Sequence, residues 1–384
     1  MQNKLIGMVI GVTCALFFLW MMLQNRTSER DFDQAACHGG RLKTAAARDE
    51  AMTAGYQINS RYDCIDKAAF DAATGYNAKQ EVARKLDADA AAKRTADEQT
   101  EEAQGLAYAR SKFQTKVSVT GADASPLPEP PANLFVRVSY KSGQNSLPAF
   151  ITPDAKDKQK RPAIIWITGG DSNSLSDFWT PGNDNDDQSA RAFREAGIVM
   201  MFPVLRGGNG NAAGKEFFYG EVNDVLAAAD FLATQPHVDS TQIYLGGHST
   251  GGTLALLTAE VTNKFARVFA FGPVAKVSSY GSSLVPVKFR DLAPQELRLR
   301  SPTHWLKSIS KPTYIIEGTD GSGNIDDLRH MCKDNTNPML QCVAAEGLDH
   351  YSVLPAVSRV IAARLAVAAT GFEFALKPDE FKKK

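Results

Sequence analysis

The chain has 384 residues, and its 43 Lys and Arg balance 43 Asp and Glu to a formal net charge of zero. That balance leaves no electrostatic footprint for nucleic acid, and the terminal Lys382-Lys383-Lys384 reads as a solvated end. The length admits one large domain plus further segments, and nothing in the composition calls for a metal or organic cofactor.

Leu5 to Leu23 (LIGMVIGVTCALFFLWMML) carries no charged residue. At about 1.5 Å per residue it spans roughly 28 Å as a helix, close to a bilayer core. A cleaved signal peptide is the rival reading, but no small-x-small site follows cleanly. Residues 1–24 are therefore expected to be a tail and a single-span transmembrane anchor. Cys14 lies in this span, which leaves Cys37, Cys64, Cys332 and Cys342. Two locally spaced pairs point to disulfides and an oxidising compartment; four free thiols in a cytosolic protein are the alternative. The expected arrangement is a cytoplasmic N-terminus with a periplasmic or extracellular body.

Residues 25–119 are Ala-rich, charged and almost free of proline. They read as a helical stalk, with a long helix from Asn77 to Lys116. The apolar positions of that helix are mostly alanine, which suits a solvated stalk better than a coiled-coil seam. Homo-oligomerisation or partner docking through it is the sharper alternative. Residues 120–132 include GADASPLPEPP, a Pro-rich linker that cannot continue a helix.

From residue 133 to 376 short apolar runs alternate with amphipathic ones. The runs are Leu134–Tyr140, Ala149–Thr152, Ala163–Thr168, Ile198–Pro203, Ile243–Leu245, Arg267–Phe271, Thr313–Glu317 and Leu340–Ala344. Helical patterns at Ser189–Ala196, Glu216–Ala233 and Gly252–Thr262 lie between them. This predicts a mostly parallel eight-stranded sheet with helices on both faces. Residues 273–311, including Phe289, Leu292, Leu297 and Trp305, are expected to cap a pocket, and 377–384 form a polar tail.

The informative stretch is QIYLGGHSTGGTLALLTA, residues 242–259. An apolar strand breaks at Gly246-Gly247, passes through His248-Ser249-Thr250 and resumes after Gly251-Gly252 as an apolar helix. Gly247 to Gly251 fit G-x-S-x-G, a turn that lifts a serine above a strand end. His248 is read as the variable residue of that turn. The following helix points free N–H groups at the place where an oxyanion develops. A serine nucleophile needs a base and an orienting acid. Gly347-Leu348-Asp349-His350-Tyr351 offers His350 as base. Gly318-Thr319-Asp320-Gly321 offers Asp320 as acid, with Glu317, Asp326 and Asp327 close by. The Gly169-Gly170 turn after Ile164–Thr168 offers Gly170, or Gly169, as an oxyanion donor beside the Thr250 N–H.

These blocks together resemble an α/β-hydrolase from about Leu134 to Ala369, most similar to the prolyl-oligopeptidase-like (S9) and dienelactone-hydrolase-like branches. Thr168-Gly169-Gly170, Leu205-Arg206-Gly207-Gly208, Gly214-Lys215-Glu216-Phe217 and the GGHSTGG elbow fall in that order. The resemblance implies a serine hydrolase that cleaves an ester or peptide bond through an acyl-enzyme, with a small ester or short peptide as substrate. About 130 mostly helical residues precede the hydrolase region and cannot build the β-propeller of the oligopeptidases. A hydrolase-fold binding or scaffold protein acting through the stalk is the alternative from another class.

Overall fold

Apolar runs without a polar face need cover on both sides, and the computed structural model supplies it. It describes residues 29–30, 41–58, 63–65, 67–121, 123–281, 289–367 and 374–381. Strands β1 (Val136–Ser142), β2 (Asn145–Ile151), β3 (Arg161–Ile167), β4 (Val199–Pro203), β5 (Val238–His248), β6 (Arg267–Phe271), β7 (Thr313–Gly318) and β8 (Leu340–Ala345) build one sheet. Their order is β8-β7-β6-β5-β3-β4-β2-β1. β2 runs antiparallel to β1 and β4, and the remaining pairs are parallel. This is the α/β-hydrolase architecture, and each of the eight apolar runs falls on one strand.

The period-two geometry of strands divides the core. Ile165, Leu245, Ala270 and Ile315 face one layer, which includes α5 (Glu221–Ala233) and α6 (Thr250–Ala259). Ile164, Trp166, Phe269 and Ile316 face the other, with Phe193 of α4 (Ala192–Glu195) and Val357 and Ile361 of α9 (Val353–Val367). The chain leaves β3 for β4 on one side and returns through β5 on the other. A crevice therefore opens beyond the carboxyl ends of β3 and β5, at the sheet's topological switch point. Ile167 is paired with Gly247, so the two strands end level.

The chain divides into two compact units, Met1–Ala96 and Asp97–Lys384. In the first, α1 (Ala45–Thr53) is capped by Thr44, whose Oγ1 accepts from the Ala47 N–H at 3.1 Å. Leu42, Ala47, Ala51 and Cys64 form a small core. Cys64 is disulfide-bonded, while Cys37 lies outside the described residues. The Leu5–Leu23 stretch also lies outside them, and no helix among the described residues is long and apolar enough to cross a membrane. Helix α2 (Lys67–Gln104) is exposed at every residue from Val82 to Thr100.

The second unit starts at Asp97, ahead of the Pro-rich 120–132 segment rather than after it. Gly105, at φ +87°, breaks α2 from α3 (Leu106–Ser111), and Leu106 and Ala109 are buried. From α3 the half-buried Arg110 guanidinium donates to the carbonyls of Phe218 at 2.7 Å, Leu299 at 2.9 Å and Tyr219 at 3.0 Å. Val119 and Lys215 exchange backbone hydrogen bonds at 2.9 Å. Asp123 accepts from the Asn209 N–H at 3.0 Å and from the Ser174 hydroxyl. Residues 106–121 and Asp123 are thus a strap on the hydrolase fold. The expected cap differs as well. Phe289 and Trp305 belong to the core, and among the described residues of 273–311, which include α7 (Pro294–Arg298), only Val274, Ser279 and Tyr280 line the cleft. Cys332, at the end of α8 (Ile325–Cys332), is bonded to Cys342 of β8.

Candidate active site

β5 ends at His248, and Ser249 follows with φ 54° and ψ −114°, a left-handed backbone that a serine adopts only when its surroundings impose it. The glycines around it are steric requirements. A Cβ at Gly247 would meet the Gly251 carbonyl, and one at Gly251 would meet the carbonyls of Ile167 and Thr168. The Ser249 N–H donates to the Phe271 carbonyl at 2.8 Å, which ties the turn to β6. Thr250 opens α6, where backbone N–H groups have no intrahelical acceptor. Its hydroxyl donates to the Gly170 carbonyl at 2.9 Å and locks the loop after β3 to the elbow.

Ser249, His350, Gly169 and Gly170 line one cleft of about 730 Å³, with Tyr280 and Asp123 also on its wall. No hydrogen bond joins Ser249 Oγ to His350 among the described residues; such contacts are often long in a free enzyme and tighten around substrate. His350 Nδ1 lies 2.8 Å from Glu317 Oε2. The Glu317 side chain is fully buried at the end of β7. Its Oε1 accepts from the Gly318 N–H at 2.7 Å and its Oε2 from the Asn324 N–H at 3.0 Å. These donors compensate the burial of a carboxylate. Space for the pair comes from Gly272, at φ +57°, where a Cβ would run into the His350 ring.

The carboxylate that meets the His350 ring is therefore that of Glu317 and not that of Asp320, where it was expected. Asp320 is exposed, and its carboxylate accepts from the Thr319 hydroxyl at 2.9 Å. Its own N–H donates to the Leu348 carbonyl, so the GTDGSGN loop folds along the histidine loop without presenting this carboxylate to the ring. Asp326 pairs with Arg329 at 3.1 Å in solvent. Asp327 accepts from the Ala275 N–H at 2.8 Å, and burial raises its pKa. Glu317 was visible among the acids near the strand; what decides between them is that its carboxylate needs no loop to reach His350. His248, taken as the variable residue of the turn, is buried with its ring 4.5 Å from that of His350.

Residues 185–320 match the model of the prolyl oligopeptidase family, peptidase S9. The resemblance is borne out. Dipeptidyl-peptidase 5 of Porphyromonas gingivalis is 32% identical over 196 residues, 46% of this chain and 28% of that relative. The uncharacterized peptidase YtmA of Bacillus subtilis is 26% identical over 141 residues, 33% of this chain and 53% of that relative. The chain thus spans about half the length of these relatives or less. Among solved structures, Porphyromonas gingivalis dipeptidyl peptidase 4 is 19% identical with a TM-score of 0.49, over 61% of this chain and 35% of that one. The site thus sets a strained serine and an imidazole on one cleft, with a buried carboxylate behind the imidazole.

Proposed function

We propose that this chain hydrolyses a peptide or ester bond through an acyl-enzyme, with Ser249 as nucleophile, His350 as base and Glu317 as the acid. Ser249 Oγ attacks the substrate carbonyl while His350 Nε2 takes the hydroxyl proton. Glu317 holds the imidazole through Nδ1 and stabilises the imidazolium. The N–H groups of Thr250 and Gly170 receive the oxyanion, and His350 returns the proton to the leaving group. Water then releases the acyl group by the same steps in reverse.

The observation that carries this reading is the Glu317–His350 contact on a cleft shared with the strained Ser249. The relatives named as peptidases favour a peptide over a simple ester. The Cys332–Cys342 bond favours an exported body, consistent with an anchor at Leu5–Leu23. Exposed Val82 and Leu86, one turn apart on α2, favour association through the stalk. The test is a panel of p-nitrophenyl esters and short peptides offered to the wild type and to Ser249→Ala. Loss of turnover by roughly six decades at unchanged Tm is expected; Ser249→Ala activity above about a tenth of wild type overturns the reading.

A further inference from the structure

The G-x-S-x-G turn accepts many residues at its second position, yet here a titratable ring fills it and is only 2% exposed. A polar ring buried to that degree needs partners. His248 Nε2 lies 3.0 Å from the backbone carbonyl of His350, and Nδ1 lies 3.1 Å from Gln188 Oε1. A carbonyl only accepts, so Nε2 carries the proton. Burial, and then the neighbouring His350, push the ring down to about 3, which leaves it with that single proton at neutral pH. Nδ1 is then an acceptor, and a donor from Gln188 would reach it only if that carboxamide turned and gave up its 2.7 Å bond to the Asp186 carboxylate, so the ring is held through Nε2.

His350 sits in the loop between β8 and α9, where flanking groups are already engaged. The Leu348 carbonyl accepts from Asp320, and the Asp349 carboxylate accepts from Tyr351 and Ser352. The imidazole is tethered at Nδ1 by Glu317, but one bond leaves it free to pivot. The second tether is the contact from His248 to the His350 carbonyl. His248 is rigid because its backbone is paired with Phe271 in the sheet and its ring abuts Gly169, where a Cβ would lie 3.0 Å from Nδ1.

We propose that His248 is a positioning residue: from the peptide next to the nucleophile it holds the backbone of the base, so one turn fixes both partners of the proton transfer. This rests on the Ser249–His350 reading above. The test compares kcat, KM and Tm for p-nitrophenyl acetate among the wild type, His248→Gln, His248→Asn, His248→Leu and Ser249→Ala. Glutamine extends an N–H donor about as far as Nε2, whereas asparagine reaches only to Nδ1.

His248→Asn and His248→Leu should lower kcat on the order of 10- to 100-fold with KM within about twofold, because the base is displaced rather than the binding surface. His248→Gln should recover most of the loss. If the leucine variant does not fold, the Gln and Asn pair decides. An Asn variant retaining more than about a third of wild-type kcat overturns the proposal, as does a Gln variant no better than Asn at equal Tm. With Ser249→Ala inactive, either result removes this role alone. Ser249→Ala at the wild-type rate removes the nucleophile assignment and the role with it.

Discussion

Replacing Glu317 by Gln removes one charge while keeping the side chain's size and its acceptor for the Gly318 N–H. The native carboxylate is fully buried and 2.8 Å from His350 Nδ1, so little water screens it. When His350 takes the serine proton, the pair becomes carboxylate and imidazolium. At a charge separation near 4 Å and an effective dielectric near 20, that attraction is about 4 kcal/mol. The glutamine amide also competes for the wrong imidazole tautomer, so kcat should fall by about three to four decades. Asp320→Asn alters an exposed group bonded to its neighbour's hydroxyl and should change kcat less than about threefold. Initial rates on a p-nitrophenyl ester, with Tm measured on the same samples, check both. The reasoning fails if Glu317→Gln retains more than about a tenth of wild-type kcat, or if Asp320→Asn falls as far at unchanged Tm.

Arg110→Ala should destabilise the second unit by about 3 kcal/mol, because it strips a half-buried charged donor from three carbonyls, including that of the left-handed Phe218. Calorimetry should show Tm lowered by about 6–10 °C. Cys332→Ser with Cys342→Ser should cost about 2–3 kcal/mol, read as a lower urea midpoint for the second unit, whose transition reductant no longer shifts. His248 gives stability a pH dependence of defined sign. Its folded pKa of about 3 is below the ordinary 6.5, so the unfolded chain binds the extra proton. The contribution is complete above pH 6.5 and is lost as pH falls towards 3, by up to about 1.4 kcal/mol per unit. Urea midpoints at pH 7 and pH 4 should therefore differ less for His248→Gln than for wild type.

The sheet was legible because both of its faces are covered. Runs such as Ile164–Ile167 and Tyr314–Ile316 carry apolar residues without alternation, which only a doubly covered strand tolerates. The elbow was legible because its glycines stand at fixed local spacing around the serine, although most of the collisions they avoid are with β3, the loop after it and β6. The acid was not, because four carboxylates lie within eleven residues and only the fold shows that the one on β7 itself, rather than one on the loop or helix after it, meets the ring. The strap was hidden for a related reason. A Pro-rich segment looks like a linker by composition, while its attachment depends on Arg110 and Asp123 meeting loops about a hundred residues further on. The role of His248 was out of reach as well, since its partner is a backbone carbonyl, which no sequence pattern marks.

The central claim is that Ser249 is an activated nucleophile. Treating the purified full chain with a fluorophosphonate and mapping the adduct tests this directly. Stoichiometric phosphonylation of the peptide containing Gly247-His248-Ser249-Thr250 is expected, with activity lost in step. Labelling should be slowed strongly in Glu317→Gln and abolished in Ser249→Ala. An adduct on another residue, or full hydrolytic activity in a chain completely modified at Ser249, would contradict it.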